Sequence, residues 1–180
     1  MGGASGRNRV ISTPSGTLAF YKNLLDFDAL LLFTSGEPRL TAQQKADLLS
    51  FVRDDGKGLV AVHSALSSFG SWPDFADLIG GAGAEPPGES DLQDIRVLAP
   101  GVPAMRSFGP SFKNRYKFVR LDHPPGARVL ARSATGIPVV WTKTYGKGRV
   151  FVSQIGHDDA VWDRKDVQNM VLEAIRWVIR

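Results

Sequence analysis

Asp28-Ala-Leu-Leu-Leu-Phe-Thr34 is a short unbroken apolar run, closed by Ser35-Gly36. A strand with one wet face alternates apolar and polar residues, whereas a strand covered on both faces runs apolar throughout. The run therefore reads as a central parallel strand between two layers of helix. Thr41 and Gln44 then stand three apart, the spacing of a capping box, and Ala42, Ala46, Leu49 and Val52 follow at helical intervals. They predict a helix from Ala42 to about Arg53. Asp54-Asp-Gly-Lys-Gly58 breaks it, and Leu59-Val-Ala-Val62 is a second buried strand. Strand, helix and strand in this order make a βαβ unit, whose crossover is right-handed.

The C-terminal end repeats that logic. Val139 to Thr142 and Arg149 to Ser153 read as strands joined by the turn Tyr145-Gly-Lys-Gly148, a hairpin. Asp163 is placed to cap a last helix, whose apolar positions Val167, Met170, Val171, Ala174, Ile175 and Val178 repeat at helical spacing. Between Gly80 and Pro125, Gly and Pro are dense and only weak strands stand out, near Gln93 to Leu98 and Tyr116 to Arg120. That stretch reads as a loop-rich surface excursion.

A chain of 180 residues suits one domain spanning 1–180, with a core large enough to need no staples. It has no cysteine, which excludes disulfides, thiolate metal sites and a cysteine nucleophile. The longest apolar stretch, residues 29–33, is far too short to cross a bilayer, so a cytoplasmic protein without membrane contact is expected. The formal charge is +4 and the pI about 9.6, yet the cations are scattered. Lys113, Arg115, Lys117 and Arg120 form the one local cluster, interleaved with Phe112, Tyr116 and Phe118 as on a strand with one wet face. No nucleic-acid partner is expected.

Five segments together resemble the ThuA-like (trehalose-utilisation) family on the class I glutamine amidotransferase fold. They are Phe27-Asp-Ala-Leu-Leu-Leu-Phe-Thr-Ser-Gly-Glu37, Gly58-Leu-Val-Ala-Val-His-Ser-Ala65, Trp72-Pro-Asp-Phe-Ala-Asp-Leu-Ile-Gly-Gly81, Pro138-Val-Val-Trp-Thr-Lys-Thr-Tyr-Gly-Lys-Gly-Arg-Val-Phe151 and Gly156-His-Asp-Asp-Ala-Val-Trp162. The resemblance implies an α/β fold, with a three-layer, mostly parallel, flavodoxin-like sheet. It also implies that the usual first strand is lacking, since the chain starts where the family's second strand would lie, near Arg9 to Ser12. Two further departures stand out. Gly80-Gly-Ala-Gly-Ala-Glu-Pro86 lacks the family's His before Pro, and Asn114-Arg115 replaces an acidic pair before Tyr116.

His63 stands at the carboxyl end of a buried strand, where open α/β sheets place their ligands. Ala61 and Ala65 flank it with the small-x-nucleophile-x-small spacing of a nucleophile elbow. The amidotransferase relatives carry Cys there; here the position holds His63, with Ser64 just after. Ser64 is a candidate nucleophile if a base reaches it, and otherwise a helix cap. His157 and Asp159 resemble the His-x-Glu pair of the amidotransferase triad, one as base and the other fixing its tautomer. Asp158 and Asp159 also suit a helix entry. Two histidines with either aspartate could form a facial metal site, but none is expected.

Glu37 would lie on the same rim, able to bind sugar hydroxyls. Trp72 and Trp162 could offer flat faces to a sugar ring, as could Trp141, although tryptophan is more often packing. His123 reads as a loop residue. The expectation is a hydrolase-like enzyme acting on a small carbohydrate-derived or ester substrate, with Ser64 or His63 at the elbow, His157 as base, Asp159 as orienter, and Glu37, Trp72, Asp158 and Trp162 binding substrate. No cofactor is expected. The alternative is a non-catalytic carbohydrate-binding or interaction domain with eroded chemistry. The apolar strand at 28–34 without its usual neighbour points to a homodimer.

Overall fold

The computed structural model describes residues 24–83, 91–115, 119–121 and 124–180. Among the described residues seven strands form one sheet: β1 (Ala29–Leu32), β2 (Gly58–Val62), β3 (Leu92–Val97), β4 (Ser111–Arg115), β5 (Ala127–Ser133), β6 (Pro138–Tyr145) and β7 (Gly148–Ser153). Their order is β1-β2-β7-β6-β5-β3-β4. Helices α1 (Ala42–Arg53) and α2 (Pro73–Ile79) lie on one face, and α4 (Lys165–Val178), preceded by the single turn α3 (Asp159–Trp162), lies on the other. This is the three-layer α/β arrangement expected.

Strand β2 shows why the layers form. It is buried along its whole length, and period-two alternation sends Leu59 and Ala61 to one face and Val60 and Val62 to the other. The first pair packs in the cluster of Leu48, Phe51 and Val52 from α1 with Phe75, Leu78 and Ile79 from α2. The second pair shares a cluster with Val167, Met170, Ala174 and Val178 of α4. Those four sit at i, i+3, i+7 and i+11, one stripe of the helix.

The sheet is mixed where the resemblance implied mostly parallel strands. β1, β2 and β7 run parallel, but β6, β5, β3 and β4 join by antiparallel pairings. The cause is local: Tyr145 pairs with Gly148, leaving a two-residue turn that can connect only antiparallel strands. Among the described residues β1 ends the sheet instead of lying centrally, and Leu31 is 45% exposed. An apolar run marks a strand but not its place in the order. The strand expected near Arg9 to Ser12 lies outside the described residues.

The described parts of the stretch from 80 to 125 join the sheet and the core. They supply β3 and β4, and Ile95, Val97, Ala104, Met105 and Phe108 are buried in the core. Pro103 opens a connector, the 3-10 turn Pro103–Met105, between the strands Leu92–Val97 and Ser111–Arg115. A strand occupies Ser111–Arg115; the strand expected over 116–120 falls largely on Tyr116, Lys117 and Phe118, which lie outside the described residues. Strand β5 carried no readable signal, because register shifts around Val129 and Ala131 break its alternation. Asp163 does not cap α4: it closes α3, its N–H bonding the Asp159 carbonyl, and Arg164 precedes α4.

The cap of α1 matches its sequence signature. The Thr41 hydroxyl accepts from the Gln44 N–H at 3.2 Å, and the Gln44 side chain accepts from the Thr41 N–H at 2.8 Å. Thr41→Ala removes half of this reciprocal pair and is expected to cost about 1 kcal/mol of unfolding free energy, with Thr41→Gly costing only tenths. Urea denaturation of both variants measures the losses; a Thr41→Ala midpoint equal to that of the wild type would show that the hydroxyl contributes nothing.

Candidate functional site

Two parallel neighbours bring the site together. Val62 at the end of β2 pairs with Ser153 at the end of β7, so both chains leave the sheet at the same rim, where α/β sheets bind ligands. His63 follows at once with a left-handed backbone, φ +50°, and opens the 3-10 turn His63–Ser67. That conformation is costly for a non-glycine residue and turns the chain sharply off the strand, as an elbow does. His63, not Ser64, holds the elbow position, and it is 8% exposed.

His157 arrives from β7 through Gln154, Ile155 and Gly156. The buried Gln154 amide fixes this path, donating to the carbonyls of Pro138 at 2.6 Å and Val119 at 3.2 Å while accepting from the Val119 N–H at 2.7 Å. Gly156 has φ +142°, and a Cβ there would stand 2.9 Å from the Trp162 ring and 3.1 Å from the His63 Cβ. Only glycine lets the loop pass so close. The imidazoles of His63 and His157 meet edge to face with centroids 5.4 Å apart. Phe33, leaving β1, lies 5.8 Å from the His63 ring and 5.5 Å from that of Trp162, whose indole N–H donates to the Gly156 carbonyl at 3.2 Å.

His157, His63, Phe33 and Trp162 thus form a row of rings along one rim, with His157 and Phe33 exposed. The row joins two proton-transfer groups to apolar ring surface, a combination suited to a small polar molecule with an apolar face. Phe33 was not anticipated. Its apolar neighbours in sequence made it read as strand core, yet it lies just beyond β1 and is 50% exposed.

The remaining candidates divide. Asp158 caps α3, its carboxylate accepting the Val161 N–H at 2.8 Å, which anchors the segment after His157. Asp159 is exposed in the first turn of α3. Ser64 is half-buried inside the 3-10 turn and is not its N-cap, a position held by Val62. Glu37 spends both carboxylate oxygens on Ser71, accepting from its N–H at 2.9 Å and its hydroxyl at 3.1 Å. Trp72 is a core residue, 5% exposed and packed on Phe69 and Phe75, and so offers no open face for a sugar. Trp141 is fully buried, its indole N–H donating to the Ile79 carbonyl. His123 lies outside the described residues.

Among the described residues no group of three histidine or carboxylate side chains is placed to hold a metal ion. The Tyr145 hydroxyl is held above its ordinary value by burial, reinforced by the charge of Asp77, but it belongs to the β6–α2 packing. There Lys143 binds the carbonyl and the carboxylate of Asp77, serving the C-terminal end of α2. No described helix is long and apolar enough to cross a membrane.

Comparison with curated proteins finds no match. Among solved structures, a ThuA-like protein from Parabacteroides merdae is similar at TM-score 0.71 and 17% identity, over 87% of this chain and 71% of that one. A second ThuA-like protein, from Bacteroides uniformis, aligns at TM-score 0.70 and 17% identity, over 92% and 75%. A β-galactosidase of Bacillus circulans aligns at TM-score 0.58 and 15% identity, over 87% of this chain but 23% of that one. A family model described as ThuA, trehalose utilisation, matches residues 5–178. With that match running from before β1 to the end of α4, the chain belongs to the ThuA trehalose-utilisation family.

Proposed function

We propose that this chain is a hydrolase-like enzyme acting on a small carbohydrate-derived substrate, an ester or a glycoside, at the rim formed by His63 and His157. The observation that carries this reading is the left-handed backbone of His63 at the end of a buried strand, facing a second imidazole. Strained residues persist where the surroundings hold them, and they cluster at functional sites. With histidine at the elbow, proton transfer is favoured over a covalent serine intermediate. The exposed His157 takes a proton from the attacking water, His63 gives one to the departing oxygen, and the bond between that oxygen and the substrate's electrophilic carbon is exchanged for one to water. Phe33 and Trp162 offer ring edges and faces to the C–H side of a sugar.

A second reading, a carbohydrate-binding domain without turnover, draws support from the missing His in Gly80-Gly-Ala-Gly-Ala-Glu-Pro86 and from Asn114-Arg115 in place of acids. A fold of this kind also occurs within a β-galactosidase, as about a quarter of the chain. Incubation with a panel of disaccharides and acetylated monosaccharides, followed by proton NMR, separates the two. Product formation is expected for at least one compound and is expected to vanish in His157→Ala. Saturation transfer to sugar protons without product would favour the binding domain; neither signal would overturn both readings.

A further inference from the structure

Two described non-glycine residues have left-handed backbones, and they bracket one segment: His63 at +50° and Phe69 at +55°. Strain of this kind lasts only where neighbours over-determine it. The segment from 63 to 71 is fastened at three levels to the chain leaving β1. Glu37 grips Ser71 through both oxygens. The Gly36 carbonyl accepts from the Phe69 N–H at 2.8 Å, within a parallel bridge between Gly36 and Ser68. Nearest to His63, the fully buried Ser68 hydroxyl donates to the Ser64 carbonyl at 3.2 Å and lies 2.8 Å from the Thr34 hydroxyl. A hydroxyl has one proton, so with Ser68 giving its proton to Ser64, Thr34 is the donor to Ser68.

We propose that Ser68 is a positioning residue for His63: its buried hydroxyl, accepting from the Thr34 hydroxyl on one side and donating to the Ser64 carbonyl on the other, holds the 3-10 turn so that His63 keeps its left-handed backbone toward His157 and Phe33. The relay starts one residue after Phe33 in the chain and ends one residue after His63. It therefore locks the two ring-bearing positions in register. Glu37 has the same office at the far end of the segment, as a clasp on the loop instead of a contact to substrate. The importance of the relay rests on the reading of the rim as the functional site, but its existence does not.

The test reads the free protein, without any substrate. Ser68→Ala, Thr34→Val and Ser68→Thr are compared by side-chain NMR of the histidines. In Ser68→Ala and Thr34→Val, the His63 ring protons are expected to lose part of the ring-current shift imposed by Phe33 and His157, and their Overhauser contacts to His157 are expected to weaken. Ser68→Thr, which keeps the hydroxyl, is expected to retain both. Thr34 is only half-buried, so Thr34→Val leaves a folded variant to measure even where Ser68→Ala does not fold. Unchanged His63 shifts and contacts in folded Thr34→Val would overturn the relay. With the relay confirmed but no substrate turned over by the wild type, the positioning inference stands while the hydrolase reading fails.

Discussion

His157→Ala and His63→Asn are each expected to lower turnover of the best substrate by about 10²- to 10⁴-fold, the range contributed by one general acid or base. The two variants remove different proton transfers and need different controls. His157 is exposed on the loop after β7, so its removal is expected to leave the thermal midpoint unchanged. His63 is buried and left-handed, and alanine there would keep the backbone strain while adding a void. Asparagine tolerates the left-handed region, so His63→Asn removes the imidazole while respecting the elbow. If the two imidazoles work as a unit, the double variant is expected to be little slower than either single one. Losses that multiply would mean independent contributions, and full activity in His157→Ala would remove that residue from the chemistry.

Much of the framework was legible because its signals are local. The capping box fixed the start of α1, the spacing of Val167, Met170, Ala174 and Val178 fixed the buried face of α4, and Tyr145-Gly-Lys-Gly148 fixed the hairpin. Strand order was not legible, since an apolar run such as 29–32 states that a strand exists and not what flanks it. The candidate rim was legible in two histidines that follow buried strands. The choice between His63 and Ser64 was not, because the elbow is defined by a backbone angle that neighbouring residue types share. The surroundings of Glu37 and Trp72 were not legible for a related reason. A carboxylate and an indole advertise their chemistry, but whether they face a ligand or the protein depends on long-range partners, here Ser71 for one and Phe69 with Phe75 for the other.

Gly148→Ala is expected to destabilise the protein by about 3 kcal/mol, the upper part of the range for overpacking, because the atoms it meets cannot move aside. A Cβ on Gly148 would collide with the backbone carbonyl oxygens of Val52 and Lys57, and would come within 2.8 Å of a Val52 methyl. These carbonyls belong to the end of α1 and the loop leading to β2, so the start of β7 is pressed directly onto backbone. The contact is fastened beside it, where the Lys147 N–H donates to the Arg53 carbonyl at 2.8 Å and the Lys57 N–H to the Phe51 carbonyl at 3.1 Å. A flexible side chain could rotate out of the way; two carbonyls held in this frame can yield only by shifting α1 or β7, and both carry core residues. Gly101 is the control, with nothing within 4 Å of its would-be Cβ and no left-handed φ, so Gly101→Ala is expected to be neutral or slightly stabilising. Gly136 separates the remaining factor. Its surroundings are equally open but its φ is +87°, so Gly136→Ala is expected to lose about 1 kcal/mol from backbone strain alone. Equilibrium denaturation of the three variants should therefore rank them 101, 136, 148 in rising cost. A Gly148→Ala midpoint equal to that of Gly101→Ala would show that the hairpin does not seat on the end of α1.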